Sequence, residues 1–250
     1  NVYRYSIDNL SEVYDTAGKH NINLIAIFPF TPQKLKTKSG DEALNPNNLV
    51  CRSLEKLNSQ KPSFGIMCDV ALDPYTDHGH DGLLSDDGKI LNDETNGVLV
   101  KQSILLAQYG ADIVAPSDMM DGRIGMIRDE LEKHQFKDTL ILSYAAKYSS
   151  GMYSPFRDAV GSSKNLKTDK KTYQMNIFNS DEAIREASMD IREGADMIMV
   201  KPGISYLDII YRIKNELKCP TFAYQVSGEY SLIKFGAKQN VIDEKTTVIE

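Results

Sequence analysis

The chain has 250 residues, which is enough for one large domain or two small ones with a substantial core. Apolar residues make up 41% and charged residues 26% of it, so the composition is that of a soluble globular protein and gives no sign of disorder. The net charge of −6 argues against a general affinity for nucleic acid or anionic membranes, because phosphate binding needs clustered, uncompensated lysine and arginine.

Cysteine usage and hydropathy exclude further classes. Cys51, Cys68 and Cys219 form no CxxC pair and have no His-rich neighbourhood, so neither a disulfide framework nor a structural zinc site is expected. No apolar run approaches the roughly 20 residues that cross a bilayer, and no signal-peptide pattern is present. The chain starts with Asn1 rather than Met, so we expect a missing N-terminal segment.

Short apolar runs predict six β-strands, and segments with helical periodicity or helix-stop signals alternate with them. The predicted strands are Leu24–Phe28, Phe64–Cys68, Ile113–Ala115, Leu140–Ala146, Met197–Val200 and Thr221–Val226. The predicted helices are Asp8–Lys19, Pro46–Leu57, Thr95–Tyr109, Asp121–His134, Ser180–Glu193 and Tyr206–Leu217.

This alternation predicts a parallel sheet covered by helices, either an open doubly wound sheet or a (β/α)₈ barrel. A Rossmann fold would show GxGxxG after its first strand, and there is none. The segments YGADIVAPSDM and EGADMIMVKPG both run Gly-Ala-Asp into an apolar strand, which favours a barrel of like units. If the fold is a barrel, residues 1–250 form a single (β/α)₈ TIM barrel domain that is two strands short, and its first and last strands are missing from this chain.

Two of the predicted strands end in a lysine, Lys147 and Lys201. Side chains that follow barrel strands converge on one face, where active sites lie. A lysine is nucleophilic only as the free amine, so its pKa must fall from about 10.4 toward about 7 to 8, which burial and a second ammonium can achieve. The pair predicts Schiff-base chemistry on a carbonyl substrate. The alternative is that each lysine pairs with an aspartate or lies at the surface.

Other polar residues come after the predicted strands or in the loops that follow them. The strand-end set is Asp69, Asp73, Ser117, Asp118 and Ser227. The loop DVALDPYTDHGHDG, residues 69–82, is rich in Asp and His and could bind a hard cation or a substrate ammonium, or could be only a polar turn. Residues 148–171 follow Lys147 and predict an active-site lid, in which Arg157 and Lys170 suit a carboxylate unless they are solvated charges.

Five segments closely resemble the porphobilinogen synthase family, also called 5-aminolevulinate dehydratase, and the resemblance covers essentially the whole chain. They are SDMMDGRIGMIR (117–128), SYAAKYSSGMYSPFRDAVGSS (143–163), KTYQM (171–175), GADMIMVKPGISYLDII (194–210) and AYQVSGEYSLIK (223–234). The resemblance implies a (β/α)₈ barrel enzyme that condenses two molecules of 5-aminolevulinate into porphobilinogen, with loss of two waters, in tetrapyrrole synthesis.

The resemblance also implies roles for individual residues around the two lysines. Lys201 matches the lysine that forms a Schiff base with the first-bound substrate, in the P site, and Lys147 matches the lysine of the second, in the A site. Arg157 and Lys170 match lid residues that hold the A-site carboxylate, although many relatives have Arg at the latter position.

The same resemblance extends to the P-site carboxylate and to the aspartate loop. Ser227, with Tyr224 nearby, matches the P-site carboxylate contact. Zinc-dependent relatives carry three cysteines where this chain has Ala71, Asp73 and Asp81, so no catalytic zinc is expected. Asp73 and Asp81 are instead expected to orient the A-site amino group or to transfer protons.

A magnesium ion and an assembly are implied in the same way. Glu186, in REASMDIREGAD, matches the family's allosteric Mg²⁺ ligand, which uses one carboxylate and several waters; the alternative is an exposed helix glutamate. The resemblance implies a homo-octamer when the protein is full length, and a plastid or cytoplasmic location. Two rival functions stay open, a class I aldolase-type Schiff-base lyase and a non-catalytic assembly subunit.

Overall fold

Six parallel strands form one sheet in which the strands lie side by side in chain order, and the sheet curls into a half-barrel. The structure is a computed structural model that describes residues 3–153 and 169–250. The strands are β1 Leu24–Ile27, β2 Gly65–Val70, β3 Ile113–Pro116, β4 Leu140–Lys147, β5 Met197–Lys201 and β6 Thr221–Ala223. All six predicted strands are confirmed, although β6 ends three residues before the predicted end.

Helices connect the strands and cover the outer face of the sheet. They are α1 Ser11–His20, α2 Leu49–Asn58, α3 Asn92–Gln108, α4 Arg123–Lys133, α5 Ser180–Arg192, α6 Leu207–Leu217, α7 Ser227–Lys238 and α8 Glu244–Ile249. The six predicted helices are confirmed, and α7 and α8 were not predicted. The pattern of α7 is weak because Leu232 and Phe235 are exposed, whereas its buried residues are Glu229 and Ile233. No helix in the described ranges is long and apolar enough to cross a membrane.

The repeated Gly-Ala-Asp segment has the same structural role in both places. Asp112 precedes β3 and Asp196 precedes β5, and each carboxylate accepts the backbone N–H of the neighbouring strand, from Ile66 and Ile141, at 2.7 Å. The glycine two residues earlier has a φ of +88° or +107° and ends the preceding helix. The repeat therefore sets the register of each new strand against the previous one, which agrees with a sheet built of like units.

Replacing Gly194 with alanine is expected to lower the free energy of unfolding by about 1 to 3 kcal/mol, because φ is +107° and the new Cβ would lie 2.9 Å from Cγ of Arg128. Gly18→Ala is the matched control. Gly18 is helical with nothing within 4 Å of its Cβ position, so we expect a gain of about 0.5 to 1 kcal/mol. Urea unfolding measures both, and equal effects would contradict the argument from φ.

The two faces of the sheet have different contents. Residues at alternate strand positions on the inner face form one buried apolar cluster that includes Met67, Ala115, Tyr144 and Met199. The opposite face packs against the helices. Side chains that continue the inner face toward the carboxyl ends of the strands are polar, and they form the site described next.

Candidate active site

The sheet places Lys147 and Lys201 side by side at the carboxyl ends of β4 and β5, where they are register partners. The register shifts between Ser143 and Ala146, so β4 contains a β-bulge just before its lysine. Both side chains are buried, with 6% and 8% of their surface exposed. The prediction that the two lysines lie together is met by this geometry.

Lys147 is tied to a carboxylate. Its Nζ donates to Oδ1 of Asp81 at 2.9 Å and also to the carbonyl oxygen of Ser117. The pairing with an aspartate, which the sequence left open as an alternative, is therefore what the structure shows for this lysine. Lys201 differs from Lys147 in having aromatic side chains around its ammonium.

Three tyrosine rings surround the ammonium of Lys201. The distances from Nζ to the ring centroids are 4.3 Å for Tyr224, 5.2 Å for Tyr144 and 5.8 Å for Tyr153. Burial, and then the nearby ammonium of Lys147, lower the pKa of Lys201 to about 8, although neighbouring aspartates oppose the shift. Lys201 is therefore more often the free, nucleophilic amine near neutral pH than an ordinary lysine is.

Asp81 is the centre of the polar side of the site. Its Oδ1 accepts from Lys147, and its Oδ2 accepts from Lys170 at 2.5 Å and from the Tyr173 hydroxyl at 2.8 Å. Burial favours the neutral acid, but the two ammoniums outweigh it and hold the pKa of Asp81 well below its usual range. Tyr173 was not predicted as a site residue, although the KTYQM segment contains it.

Two further aspartates extend this arrangement. Asp73 accepts from Nζ of Lys170 at 3.2 Å, so Lys170 joins both predicted aspartates. Asp69 is half-buried at the end of β2, where burial and the charge of Asp73 raise its pKa to about 6 against the pull of Lys201. A carboxyl group with such a pKa can give and take protons near neutral pH.

A small cavity joins these groups. It is lined by Phe28, Pro29, Asp69, Asp73, Pro74, Ser117, Lys147 and Lys201. Tyr224 contacts the same region through Lys201, and Ser227 begins α7 just beyond β6. Arg157 lies outside the described residues, as does most of the predicted lid at 148–171.

Other polar residues of the sequence have structural surroundings. Asp118 is buried beside Nε of Arg123 at 3.3 Å and accepts the N–H of Met120. His80 lies 3.2 Å from the Tyr173 hydroxyl. Within the described ranges no group of three or more His, Cys, Asp and Glu side chains could hold a metal, so the cation interpretation of the 69–82 loop gains no support.

Glu186 lies on α5 and lines a separate cavity of about 670 Å³. The side chain is half-buried rather than fully exposed. Burial raises the pKa of Glu186, and the charges of Asp121 and Asp190 add to this, while Arg123 opposes them. Tyr173 lines the same cavity and also donates to Asp81, so it contacts both the cavity and the lysine site.

Two buried lysines that pair in register at the carboxyl ends of neighbouring parallel strands suit an enzyme that acts on carbonyl substrates. The sequence profile described as Delta-aminolevulinic acid dehydratase matches residues 1–250. The chain belongs to this family, whose enzymes are lyases.

Individual relatives agree with the family assignment. The chain is 52% identical over 249 residues to the delta-aminolevulinic acid dehydratase of Bradyrhizobium diazoefficiens, covering 100% of this chain and 70% of that one. It is 49% identical over 241 residues to the chloroplastic enzyme of Oryza sativa subsp. japonica, covering 96% of this chain and only 56% of that one. The structure also matches the Toxoplasma gondii enzyme, solved with the product porphobilinogen, with a TM-score of 0.95, 46% identity and coverage of 98% and 70%.

Proposed function

We propose that the protein condenses two molecules of 5-aminolevulinate into porphobilinogen with loss of two waters, as part of tetrapyrrole synthesis. The observation that carries this proposal is the register pairing of Lys147 and Lys201, with the pKa of Lys201 lowered to about 8. The similarity to a structure that contains porphobilinogen supports it.

Lys201 is assigned the first Schiff base. Its free amine attacks the ketone carbon of the P-site substrate, a C=N bond forms, and the carbonyl oxygen leaves as water. Burial of Nζ, and then the charge of Lys147, favour the neutral amine over the ammonium, whereas the faces of the three tyrosine rings attract a cation and oppose that shift. Ser227 and Tyr224 are proposed to bind the carboxylate of this substrate.

Lys147 is assigned the A-site substrate, and formation of a Schiff base there needs a nearby group that can accept and return protons. Asp81 is a poor acceptor because its pKa is far below the usual range. Asp69, with a pKa of about 6, is the better matched general base at the same cavity. Lys170 keeps its charge because Asp73 and Asp81 raise its pKa against burial, and it is proposed to bind the A-site carboxylate together with Arg157.

The two rival functions fit the site less well. A class I aldolase-type lyase needs one Schiff-base lysine and leaves the chain of contacts from Lys147 through Asp81 to Lys170 unexplained. A non-catalytic assembly subunit has no need for a buried lysine with a lowered pKa. The test is turnover of 5-aminolevulinate to a pyrrole, with borohydride trapping of the substrate on Lys201. A full-length protein that gives neither pyrrole nor adduct would refute the proposal.

A magnesium site beside Glu186 is also proposed. Asp121, Asp169 and Glu182 line the cavity with Glu186. In the described part of the chain no three of these carboxylates are placed to hold a metal together, so the proposed Mg²⁺ would be held by Glu186 and by water in the cavity. Burial, and then the charges of Asp121 and Asp190, raise the pKa of Glu186, and a bound cation would favour its charged form. When bound, the ion would supply positive charge at the wall of the cavity that contains Tyr173.

Glu186→Gln is expected to weaken Mg²⁺ binding by about tenfold, because the one carboxylate expected to contact the ion becomes a neutral amide. Calorimetric titration measures the binding, and activity after chelation and return of Mg²⁺ or Zn²⁺ gives a second readout. Glu216→Gln, which alters an exposed pair with Arg212, is the control. Unchanged Mg²⁺ binding by Glu186→Gln would place the ion elsewhere.

We further propose that the enzyme uses no catalytic zinc. Ala71 offers no ligand, and Asp81 already accepts from two ammonium groups, so a dication there would be a third positive partner. An activity that requires Zn²⁺ after chelation would contradict this.

Three further proposals concern barrel closure, assembly and location. In the described sheet β1 neighbours only β2 and β6 neighbours only β5, and two open edges favour further strands in the full protein. We propose that these strands close a (β/α)₈ barrel and that the full protein is a homo-octamer in a plastid or the cytoplasm, the plastid option being supported by chloroplastic relatives. Light scattering of the full protein tests the octamer.

A further inference from the structure

Glu229 is a buried carboxylate that the proposed mechanism does not use. Only 2% of its surface is exposed. Its Oε1 accepts backbone N–H groups from Ile204 at 2.7 Å and Ser205 at 3.4 Å, and its Oε2 accepts from Val226 at 2.7 Å and Gly203 at 3.3 Å. The partners of this charge are thus four backbone donors from two separate segments of the chain.

The two segments are the ones that follow the last two strands. Gly203–Ser205 comes directly after Lys201 and Pro202 at the end of β5. Val226 precedes Ser227, the first residue of α7, at the end of the β6 connection. Glu229 therefore joins the backbone beside the Schiff-base lysine to the backbone beside the proposed carboxylate contact.

Charge explains why a carboxylate occupies this position. Residues 204–206 form a 3-10 turn that leads into α6, and residue 226 caps α7, so the carboxylate lies at the amino ends of two helical segments. The unpaired N–H groups and the dipoles of both segments favour a negative charge there. A glutamine of the same shape would turn an NH₂ group toward backbone N–H donors at one of the two segments.

A second contact also connects the start of α7 to the backbone around Lys201. A side chain at Gly228 would overlap the backbone of Met152, so the start of α7 packs directly against residues 151–153. Tyr153 in that turn donates its hydroxyl to the carbonyl oxygens of Tyr148, at 2.8 Å, and of Lys201, at 3.3 Å. The start of α7 is therefore held to the Lys201 backbone from two sides.

We propose that Glu229 is a positioning residue that sets the distance between Lys201 and the Ser227 end of the P site, and so selects substrates by the spacing of their ketone and carboxylate. This inference rests on the proposed function. It assigns to Glu229 the preference for a 4-oxo acid, in which two methylenes separate the two groups, over a ketone that has no carboxylate.

The test compares two ketones as probes of Lys201 in the full protein. Levulinate is a 4-oxo acid, and 2-butanone has the ketone but no carboxylate. Each forms a C=N bond to Nζ and releases its oxygen as water, and borohydride then adds hydride to the C=N carbon.

Peptide mass spectrometry gives the probe concentration for half-maximal adduct on Lys201. We expect Glu229→Gln to raise that concentration about tenfold for levulinate and to leave 2-butanone unchanged, because misplacement of a binding group weakens only the probe that uses it.

Two further variants separate positioning from stability. Glu229→Asp keeps the charge but is one methylene shorter, so it should show the same loss of preference to a smaller extent. Asn48→Ala removes a buried cap of α2, where Asn48 accepts the N–H of Cys51 at 2.9 Å, and should lower the melting temperature while keeping the preference for levulinate.

The outcomes are distinguishable. Loss of preference in both Glu229 variants and not in Asn48→Ala supports the proposal. An equal loss for both probes, or an unchanged preference in the Glu229 variants, overturns it. If the unaltered protein forms no adduct on Lys201 with either probe, the proposed function itself fails, and the inference fails with it.

Discussion

Replacing Lys201 with methionine is expected to lower kcat by a factor on the order of 10³ or more and to abolish the borohydride-trapped adduct at this position. Methionine has a similar length and suits the tyrosine-lined pocket, so the fold should be retained. Removal of a buried amine leaves Lys147 with its contact to Asp81 intact. The activity loss would therefore report the missing nucleophile.

Lys214→Met, at an exposed position of α6, is the control and should leave kcat unchanged. In the unaltered protein the rate of adduct formation should rise with pH through about 8, because the pKa of Lys201 is about 8 and only the free amine reacts. Full turnover by Lys201→Met would show that Lys147 alone suffices. A rate independent of pH between about 6 and 10 would contradict the lowered pKa.

Replacing Asp81 with asparagine is expected to lower the free energy of unfolding by about 3 to 5 kcal/mol and to abolish most activity. The carboxylate accepts from the ammoniums of Lys147 and Lys170, which are both buried, so its loss leaves two buried charges without their shared counter-charge. The Tyr173 hydroxyl loses its acceptor as well. Urea unfolding measures the stability.

Asp73→Asn is the matched control, since Asp73 contacts only Lys170 of these ammoniums, at 3.2 Å, and is partly exposed, so a smaller loss is expected. The effect of Asp81 should also depend on pH. The folded-state pKa of Asp81 is below its usual value of 3.8, so its stabilisation is present above about pH 4 and is lost as the pH falls. A difference between the unaltered protein and Asp81→Asn that grows on acidification would contradict this assignment.

The convergence of the two lysines could be predicted because it depends on local patterns. Each lysine ends an apolar run, and the carboxyl ends of neighbouring parallel strands meet at one edge of a sheet. The bulge between Ser143 and Ala146, which aligns Lys147 with Lys201, has no signal in the sequence, since β4 reads as a continuous apolar run.

The partners of the lysines could not be predicted in the same way. Lys147 and Asp81 are 66 residues apart, and Lys170 and Asp81 are 89 residues apart, so only the tertiary fold brings them together. The tyrosine rings around Lys201 could not be predicted either, because Tyr144 and Tyr224 lie in apolar runs that are typical of any buried strand. The sequence did not predict α7, because its exposed apolar residues obscure the helical period. The capping role of Glu229, which lies on α7, was therefore not predicted either.

The alternation of ammonium and carboxylate groups has a consequence for charge balance. The described part of the site has three lysines, at 147, 170 and 201, and three aspartates, at 69, 73 and 81, so their formal positive and negative charges cancel. 5-Aminolevulinate is itself a zwitterion, so neither substrate molecule disturbs this neutrality. Lys201 and Asp69, with pKa values of about 8 and about 6, lie closest to neutral pH, and a proton can pass from the first to the second without changing the net charge of the pocket.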